Sequence, residues 1–273
     1  VPMMELNPIQ AIANNALATA TLADLATRHH VERVCLISTD KAVEPKTVMG
    51  GTKALAERIV EMHGHDADTR FAAVRFGNVL GSSGSVLPIF RRQIAAGGPV
   101  TVTHPEMTRY FMTIPEAVQL VIEATGIAEG GDVFVLDMGE PVRIVDLART
   151  MIALHGLTEK SAQNPGGDIE VRYVGLFPGE KLHEELLADG VVFPSDHPRI
   201  MRMKENALHP SVLETFITCL MMACETHERA MIESMVKAIV TEYSPQLAPA
   251  APAPTPVPAA PRLGLIRKFV PFR

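Results

Sequence analysis

Apolar positions in the first ninety residues follow two rhythms. Val34-Cys35-Leu36-Ile37 is an unbroken apolar run, and Phe71-Ala72-Ala73-Val74-Arg75-Phe76 is nearly one. Short runs of this kind predict strands buried on both faces of a parallel sheet. Between them the apolar residues recur at helical spacing. An Ala/Leu-rich helix is predicted from Asn7-Pro8, an N-cap followed by proline at the first helical position, to about His29; a second spans about Thr47 to His63. Such alternation predicts βαβ units. The glycine-containing stretch Gly77–Ser85 follows the second strand as a loop.

Beyond residue 86 the periods are shorter and mixed. Helices are predicted near 87–96, 115–125, 143–155 and 180–188, and strands near 100–103, 132–136 and 169–174, forming a smaller lobe over the crevice of the sheet. Residues 212–242 are apolar at helical spacing with charges interleaved, which predicts one or two amphipathic helices. Residues 247–262 form a Pro/Ala linker with too little apolar bulk to pack. The tail 263–273 is basic and apolar, a contact for a membrane surface or a partner, or simply a frayed end.

The 273 residues suit one large domain or slightly more, and 47% of them are apolar. A net charge of -6, no tryptophan and 5% aromatics argue against a nucleic-acid partner. Cys35, Cys219 and Cys224 have no framework spacing, which fits a reducing compartment. No apolar run is long enough for a transmembrane helix. His29-His30 and His63-x-His65 end separate predicted helices, where imidazole suits the helix dipole, so they are not read as metal ligands.

The chemistry concentrates at Ser38-Thr39-Asp40-Lys41, directly after the first strand, with Met49-Gly50-Gly51-Thr52-Lys53 eight residues on. Open α/β sheets bind ligands beyond the carboxyl ends of their strands. A hydroxyl, a carboxylate and two ammonium groups gathered there suit proton and hydride transfer, because each shifts the others' ionisation.

With these blocks stand Arg-Phe-Gly-Asn-Val-Leu-Gly-Ser-Ser-Gly-Ser-Val (75–86), His-Pro-Glu-Met-Thr-Arg-Tyr-Phe-Met (104–112), Val-Leu-Asp-Met-Gly-Glu-Pro-Val (135–142) and Pro-Gly-Glu-Lys-Leu-His-Glu-Glu-Leu (178–186). In this order they resemble the CapD-like nucleotide-sugar 4,6-dehydratases of polysaccharide biosynthesis, within the extended short-chain dehydrogenase/reductase superfamily. The resemblance runs from about Pro2 to about Pro198. It implies NAD as cofactor and a UDP-N-acetylglucosamine-type substrate, acted on in the cytoplasm or at the inner face of the membrane.

By this resemblance Thr39 hydrogen-bonds the sugar C4 hydroxyl, Asp40 is the acid that protonates the leaving C6 hydroxyl, and Lys41 is the base at C5. Met49 stands where most of the superfamily has its catalytic tyrosine, as in a Met-containing branch. A thioether carries no proton, so the C4 proton leaves through Asp40, Thr39 or water. Lys53 bonds the nicotinamide ribose, and Ser38, Phe76, Gly77 and Val79 border the cofactor. Asn15, or Asn14 beside it, matches the helix asparagine that orders the catalytic lysine. Asn78 and Ser85 face the sugar nucleotide, Arg109 and Arg172 its diphosphate or uridine, and Glu180 its ribose. Phe177 replaces the arginine that commonly precedes Pro-Gly-Glu-Lys.

No Gly-x-Gly-x-x-Gly turn occurs in the sequence. The expected fold is therefore α/β: a partial Rossmann-like parallel sheet without its first βαβ units, a smaller mixed α/β substrate lobe, and a C-terminal helical segment. The division expected is 1–86 for the nucleotide-binding part, interleaved with later segments, 87–210 for the substrate lobe, 211–245 for the amphipathic helices and 246–273 for linker and tail. Strand 34–37 would then present an apolar edge, favouring self-association or pairing with a separate N-terminal half. Two other readings stay open: a non-catalytic remnant or interaction subunit, and a nucleotide-sugar epimerase, against which Met49 argues.

Overall fold

The computed structural model describes residues 1–64, 68–82, 84–187, 192–203 and 209–244; the Pro/Ala linker and the basic tail lie outside them. Helix α1 (Pro2–Leu6) leads into α2 (Pro8–Ile12), which continues through a π-helical stretch, Ala13–Leu17, into α3 (Ala18–Arg28). The sequence predicts one uninterrupted helix from Asn7-Pro8 to about His29. The apolar spacing does not register the wide turn, whose one visible sign is the polar pair Asn14-Asn15.

Strand β1 (Arg33–Ile37) ends in a 3-10 turn, Asp40–Ala42, followed by α4 (Val48–His63) and β2 (Arg70–Arg75). After the short β3 (Asn78–Val79) come α5 (Val86–Ala95), β4 (Val100–Val102), β5 (Thr108–Arg109) and β6 (Phe111–Met112). Helix α6 (Ile114–Ile127), β7 (Asp132–Leu136), β8 (Val142–Arg143) and α7 (Ile144–Leu154) follow. The remaining strands are β9 (Glu159–Lys160), β10 (Ile169–Tyr173), β11 (Val192–Pro194) and β12 (Ile200–Met203), and the last helices are α8 (Pro210–Thr226) and α9 (Arg229–Ile239).

The main sheet has the order β1-β2-β7-β12-β11. Its first three strands are parallel, with Leu36 opposite Ala73 and Ala73 opposite Val133; β12 and β11 are added antiparallel. Both faces are covered, as the unbroken apolar runs require. Ala72, Val74, Phe134 and Leu136 pack on α6 and Met112, while Phe71, Ala73, Val133 and Val135 pack on α3 and on Val60 of α4. Full burial of each large side chain contributes about 1.5–3 kcal/mol. A second, parallel sheet, β4-β10-β9, packs on α5 and α7 through Phe90, Ile94, Val102, Ala148 and Ile152. This is the smaller lobe.

Helices α8 and α9 close over α2, the π-helical stretch and α4, burying Leu213, Leu220, Ile232 and Val236; the Tyr243 ring lies against Gly51. Among the described residues β1 pairs only with β2, and Ile37 at its end is 45% exposed. The remaining apolar residues of β1 are half-buried, so the strand forms a sheet edge.

One predicted element is corrected. Residues 180–187 are not helical, although Glu-Lys-Leu-His-Glu-Glu-Leu carries a helical rhythm. The carbonyls that would begin such a helix are taken elsewhere: Lys181 O accepts from Arg109 Nη2 at 2.9 Å, and Leu182 O accepts from Arg109 Nη1 and from Thr108 N, both at 3.2 Å. No helix among the described residues is long and apolar enough to cross a membrane.

Candidate active site at the carboxyl ends of β1 and β2

The chain leaving β1 does not turn away at once. Ser38 N donates to Val74 O at 2.8 Å, and Asp40 N donates to Phe76 O at 3.1 Å, so residues 38–40 continue alongside the end of β2. The 3-10 turn then fixes Asp40, Lys41 and Ala42, with Thr39 Oγ1 accepting from Lys41 N at 3.4 Å. Helix α4 is pressed onto this turn. Thr47 caps it through a 3.1 Å bond from Gly50 N, and Glu5 of α1 accepts from Val48 N at 2.7 Å, a carboxylate at the positive end of the helix. A Cβ on Gly50 would lie 2.2 Å from Lys41 O, so this approach requires glycine.

Asp40 is fully buried. A carboxylate so placed needs charge and hydrogen bonds to replace water. Its Oδ1 accepts from Lys41 Nζ and from Thr39 Oγ1, each at 2.9 Å, while Oδ2 has no hydrogen-bond partner among the described residues. A Cβ on Gly77 would sit 3.2 Å from that oxygen and 3.0 Å from Tyr110 Cβ; glycine there lets the loop after β2 close over the carboxylate. Lys41 Nζ also reaches Asn78 Oδ1 at 3.5 Å and Glu184 Oε1 at 3.6 Å. Asn78 is held by the pairing of β3 with β6. Thr39, Asp40, Lys41, Gly77 and Asn78 are thus one contiguous group.

The second expected group lies on α4. Lys53 Nζ donates to Ile37 O at 3.0 Å, tying the helix to the end of β1. Burial pushes its ammonium below the ordinary lysine value, and the nearby charge of Glu57 offsets part of that shift. The π-helical stretch turns Asn15 inward, where Nδ2 donates to Thr52 Oγ1 at 2.9 Å; Asn14 is exposed. Asn15 therefore bonds the residue preceding Lys53 in sequence rather than Lys53 itself. Met49 is half-buried on the same helix, its carbonyl accepting from Thr52 Oγ1 at 2.9 Å. Ser38 Oγ is buried without a hydrogen-bond partner among the described residues. Phe76 and Val79 pack at the rim of the core beneath α6.

A cavity of about 450 Å³ opens beside Lys41, lined also by Lys46, Arg109, Phe177, Glu180 and Glu184. Arg109 is buried, and its guanidinium is heavily engaged. It donates to the carbonyls of Thr108, Lys181 and Leu182, and faces Glu180 Oε1 at 3.7 Å and Glu184 Oε1 at 3.8 Å. Glu180 in turn accepts from Phe177 N at 3.1 Å and from Thr103 Oγ1 at 3.4 Å. Arg172 stands apart, its side chain exposed on β10 and forked onto Glu170 at 3.0 and 3.2 Å. Ser85 precedes α5, its hydroxyl oxygen buried without a partner among the described residues.

Sequence reasoning missed several residues of this cavity, Glu184 and Lys181 among them. Glu184 is buried next to Lys41, and Lys181 anchors its loop by donating to Val43 O at 2.9 Å. Both belong to the Pro-Gly-Glu-Lys-Leu-His-Glu-Glu-Leu block. Its helical rhythm hid them, since charges on a predicted helix are first read as its solvated face.

The model of a family described as "Polysaccharide biosynthesis protein" matches residues 1–205. The capsular polysaccharide biosynthesis protein CapD of Staphylococcus aureus is 54% identical over 206 residues, which are 75% of this chain and 33% of CapD. A UDP-glucose 4-epimerase of Rickettsia canadensis is 35% identical over 192 residues, 69% of this chain and 53% of that protein. Among solved structures, Pen from Bacillus thuringiensis superimposes with a TM-score of 0.66 at 32% identity, covering 79% of this chain and 71% of Pen. The chain thus spans about a third of CapD and about half of the epimerase.

Proposed function

Because the chain belongs to the polysaccharide biosynthesis protein family, we propose that it carries the acid–base half of a nucleotide-sugar 4,6-dehydratase acting on a substrate of the UDP-N-acetylglucosamine type. The observation that carries this reading is the pair Asp40–Lys41, joined at 2.9 Å at a strand end, with the lysine on a cavity wall. An acid and a base adjacent in sequence can serve neighbouring carbons of one sugar ring.

In this reading the Lys41 ammonium first passes a proton to Asp40 along their 2.9 Å hydrogen bond; the neutral amine then removes the C5 proton, Asp40 delivers its proton to the departing C6 hydroxyl, and Thr39 holds the C4 hydroxyl. Two of these groups share one carboxylate oxygen of Asp40, so their positions are fixed relative to each other. Bound NAD would supply the acceptor for the C4 hydride and its return to C6. The residues present fit the nicotinamide-ribose end of such a cofactor. Lys53 offers an ammonium at the end of β1 with one donor engaged, and Ser38 a hydroxyl unpartnered among the described residues. The sequence has no Gly-x-Gly-x-x-Gly turn for a pyrophosphate, and we assign that role to none of its residues.

Two features favour other readings. The Rickettsia relative bears the name of a UDP-glucose 4-epimerase, and a C4 epimerase would need neither the C5 base nor the C6 acid. Met49, unable to carry a proton, speaks against it. Phe177, exposed on the cavity wall where an arginine was expected, favours a non-catalytic interaction subunit. The test is incubation with NAD and UDP-N-acetylglucosamine followed by mass and NMR analysis of the nucleotide sugar. A 4-keto-6-deoxy product supports the dehydratase; a C4 epimer overturns it.

A further inference from the structure

We propose that Glu184 is the acceptor for a pyranose hydroxyl in this cavity, the group that separates sugar-bearing nucleotides from bare ones. The inference rests on the nucleotide-sugar reading above and specifies which residue grips the sugar. Glu184 lines the cavity, yet its side chain is only 4% exposed. Its charge is compensated: Oε1 lies 3.6 Å from Lys41 Nζ and 3.8 Å from Arg109 Nη2. Its hydrogen bonding is not. Both separations exceed hydrogen-bond length, and Oε2 is buried with no hydrogen-bond partner among the described residues. A carboxylate held this way keeps its cations while an acceptor oxygen goes unused, which is costly in a site shielded from water.

The chemistry of the missing partner follows. It must donate a proton in a hydrogen bond and carry no negative charge. The fully ionised diphosphate of a nucleotide sugar fails on both counts at neutral pH; a sugar hydroxyl meets both. Arg109 supports the arrangement from behind. It engages the carbonyls of Lys181 and Leu182, fixing the backbone three and two residues before Glu184, and faces Glu184 itself. The loop is therefore set before any ligand arrives, and a preorganised acceptor gives up little on binding. Lys41 joins the acceptor to the chemistry: one ammonium faces both Asp40 and Glu184, so a hydroxyl seated on Glu184 lies beside the proposed base.

Titration calorimetry of the full chain with UDP-N-acetylglucosamine and with UDP tests this, using wild type, Glu184→Ala and the shape-conserving Glu184→Gln, with thermal melting as a check on folding. A charge-assisted hydrogen bond implies at least about a tenfold loss of UDP-N-acetylglucosamine affinity in Glu184→Ala and a smaller loss in Glu184→Gln. UDP affinity should hold or rise, because a negative charge has left the cavity. Equal losses for both ligands would overturn the proposal by showing that Glu184 merely holds its loop; unchanged affinity for both would overturn it too. Wild type failing to bind UDP-N-acetylglucosamine would overturn the nucleotide-sugar reading, and this inference with it.

Discussion

Gly50→Ala tests whether the position of Lys41 is set by the close approach of α4. Two effects compete. Alanine inside a helix is favoured over glycine by roughly 0.5–1 kcal/mol. Against this, the new Cβ would stand 2.2 Å from Lys41 O and 2.9 Å from Pro45 Cβ, both parts of the packed turn rather than ends of flexible side chains. Restoring van der Waals distance requires α4 and the 3-10 turn to separate by about 1 Å, and overpacking of this kind costs about 1–3 kcal/mol. The clash wins, with a net loss of about 1–2 kcal/mol and a fall in Tm of about 2–8 °C for a chain of this size. Because Lys41 moves with its carbonyl, catalysis should fall by about a hundredfold. Gly126→Ala is the control: its Cβ would meet nothing within 4 Å in α6, and the same exchange there should be neutral or stabilising. Thermal unfolding of both variants, followed by circular dichroism, decides the matter. If Gly50→Ala melts at or above wild type, the packing argument for the Lys41 turn is wrong.

Other outcomes follow from the same contacts. Glu57 and Arg75 form an ion pair with side chains 2% and 3% exposed; Glu57→Gln removes the carboxylate charge from this buried pair and should cost about 1–3 kcal/mol in urea unfolding, whereas Glu57→Gln no less stable than wild type would show that the pair is not closed to water. Lys53 is held below its ordinary 10.5 by burial, so the folded chain binds fewer protons than the unfolded chain between its lowered value and 10.5; stability should therefore rise with pH across that alkaline window, and Lys53→Met should flatten the rise. A slope unchanged in Lys53→Met would contradict that assignment. Ile37→Lys places a charge at the exposed end of the β1 edge and should reduce self-association in light scattering; if wild type is already monomeric, the edge is not adhesive.

The parallel core was legible because its signal is simple. Val34–Ile37, Phe71–Val74 and Val133–Leu136 are apolar on both faces, and the structure buries most of them between helices. The antiparallel addition was not legible. β12 carries Arg202, which disguises a strand; the structure accommodates it by stacking the guanidinium 5.7 Å from the Phe134 ring and pairing it with Glu129 at 2.9 Å. The π-helical turn at Asn15 leaves no periodic trace, and the loop at 180–187 leaves a false one, since a contact from Arg109, more than seventy residues earlier, overrides local helical preference. In the candidate site, Thr39, Asp40 and Lys41 could be read from their place after a strand, Asn78 only from the resemblance, and the four are found together. Glu184 could not, because only the tertiary fold brings its carboxylate to Lys41.

The central claim is that Lys41 is a C5 base, and it can be tested without any bound cofactor. The C5 proton of a UDP-4-keto-6-deoxy sugar is already acidified by the neighbouring ketone, so the chain should catalyse its exchange for deuterium in D₂O, read by loss of the C5 proton signal in NMR. The account expects exchange well above the solvent rate with wild type and none above it with Lys41→Met. Wild type exchanging at the solvent rate, or Lys41→Met exchanging as fast as wild type, would contradict the account.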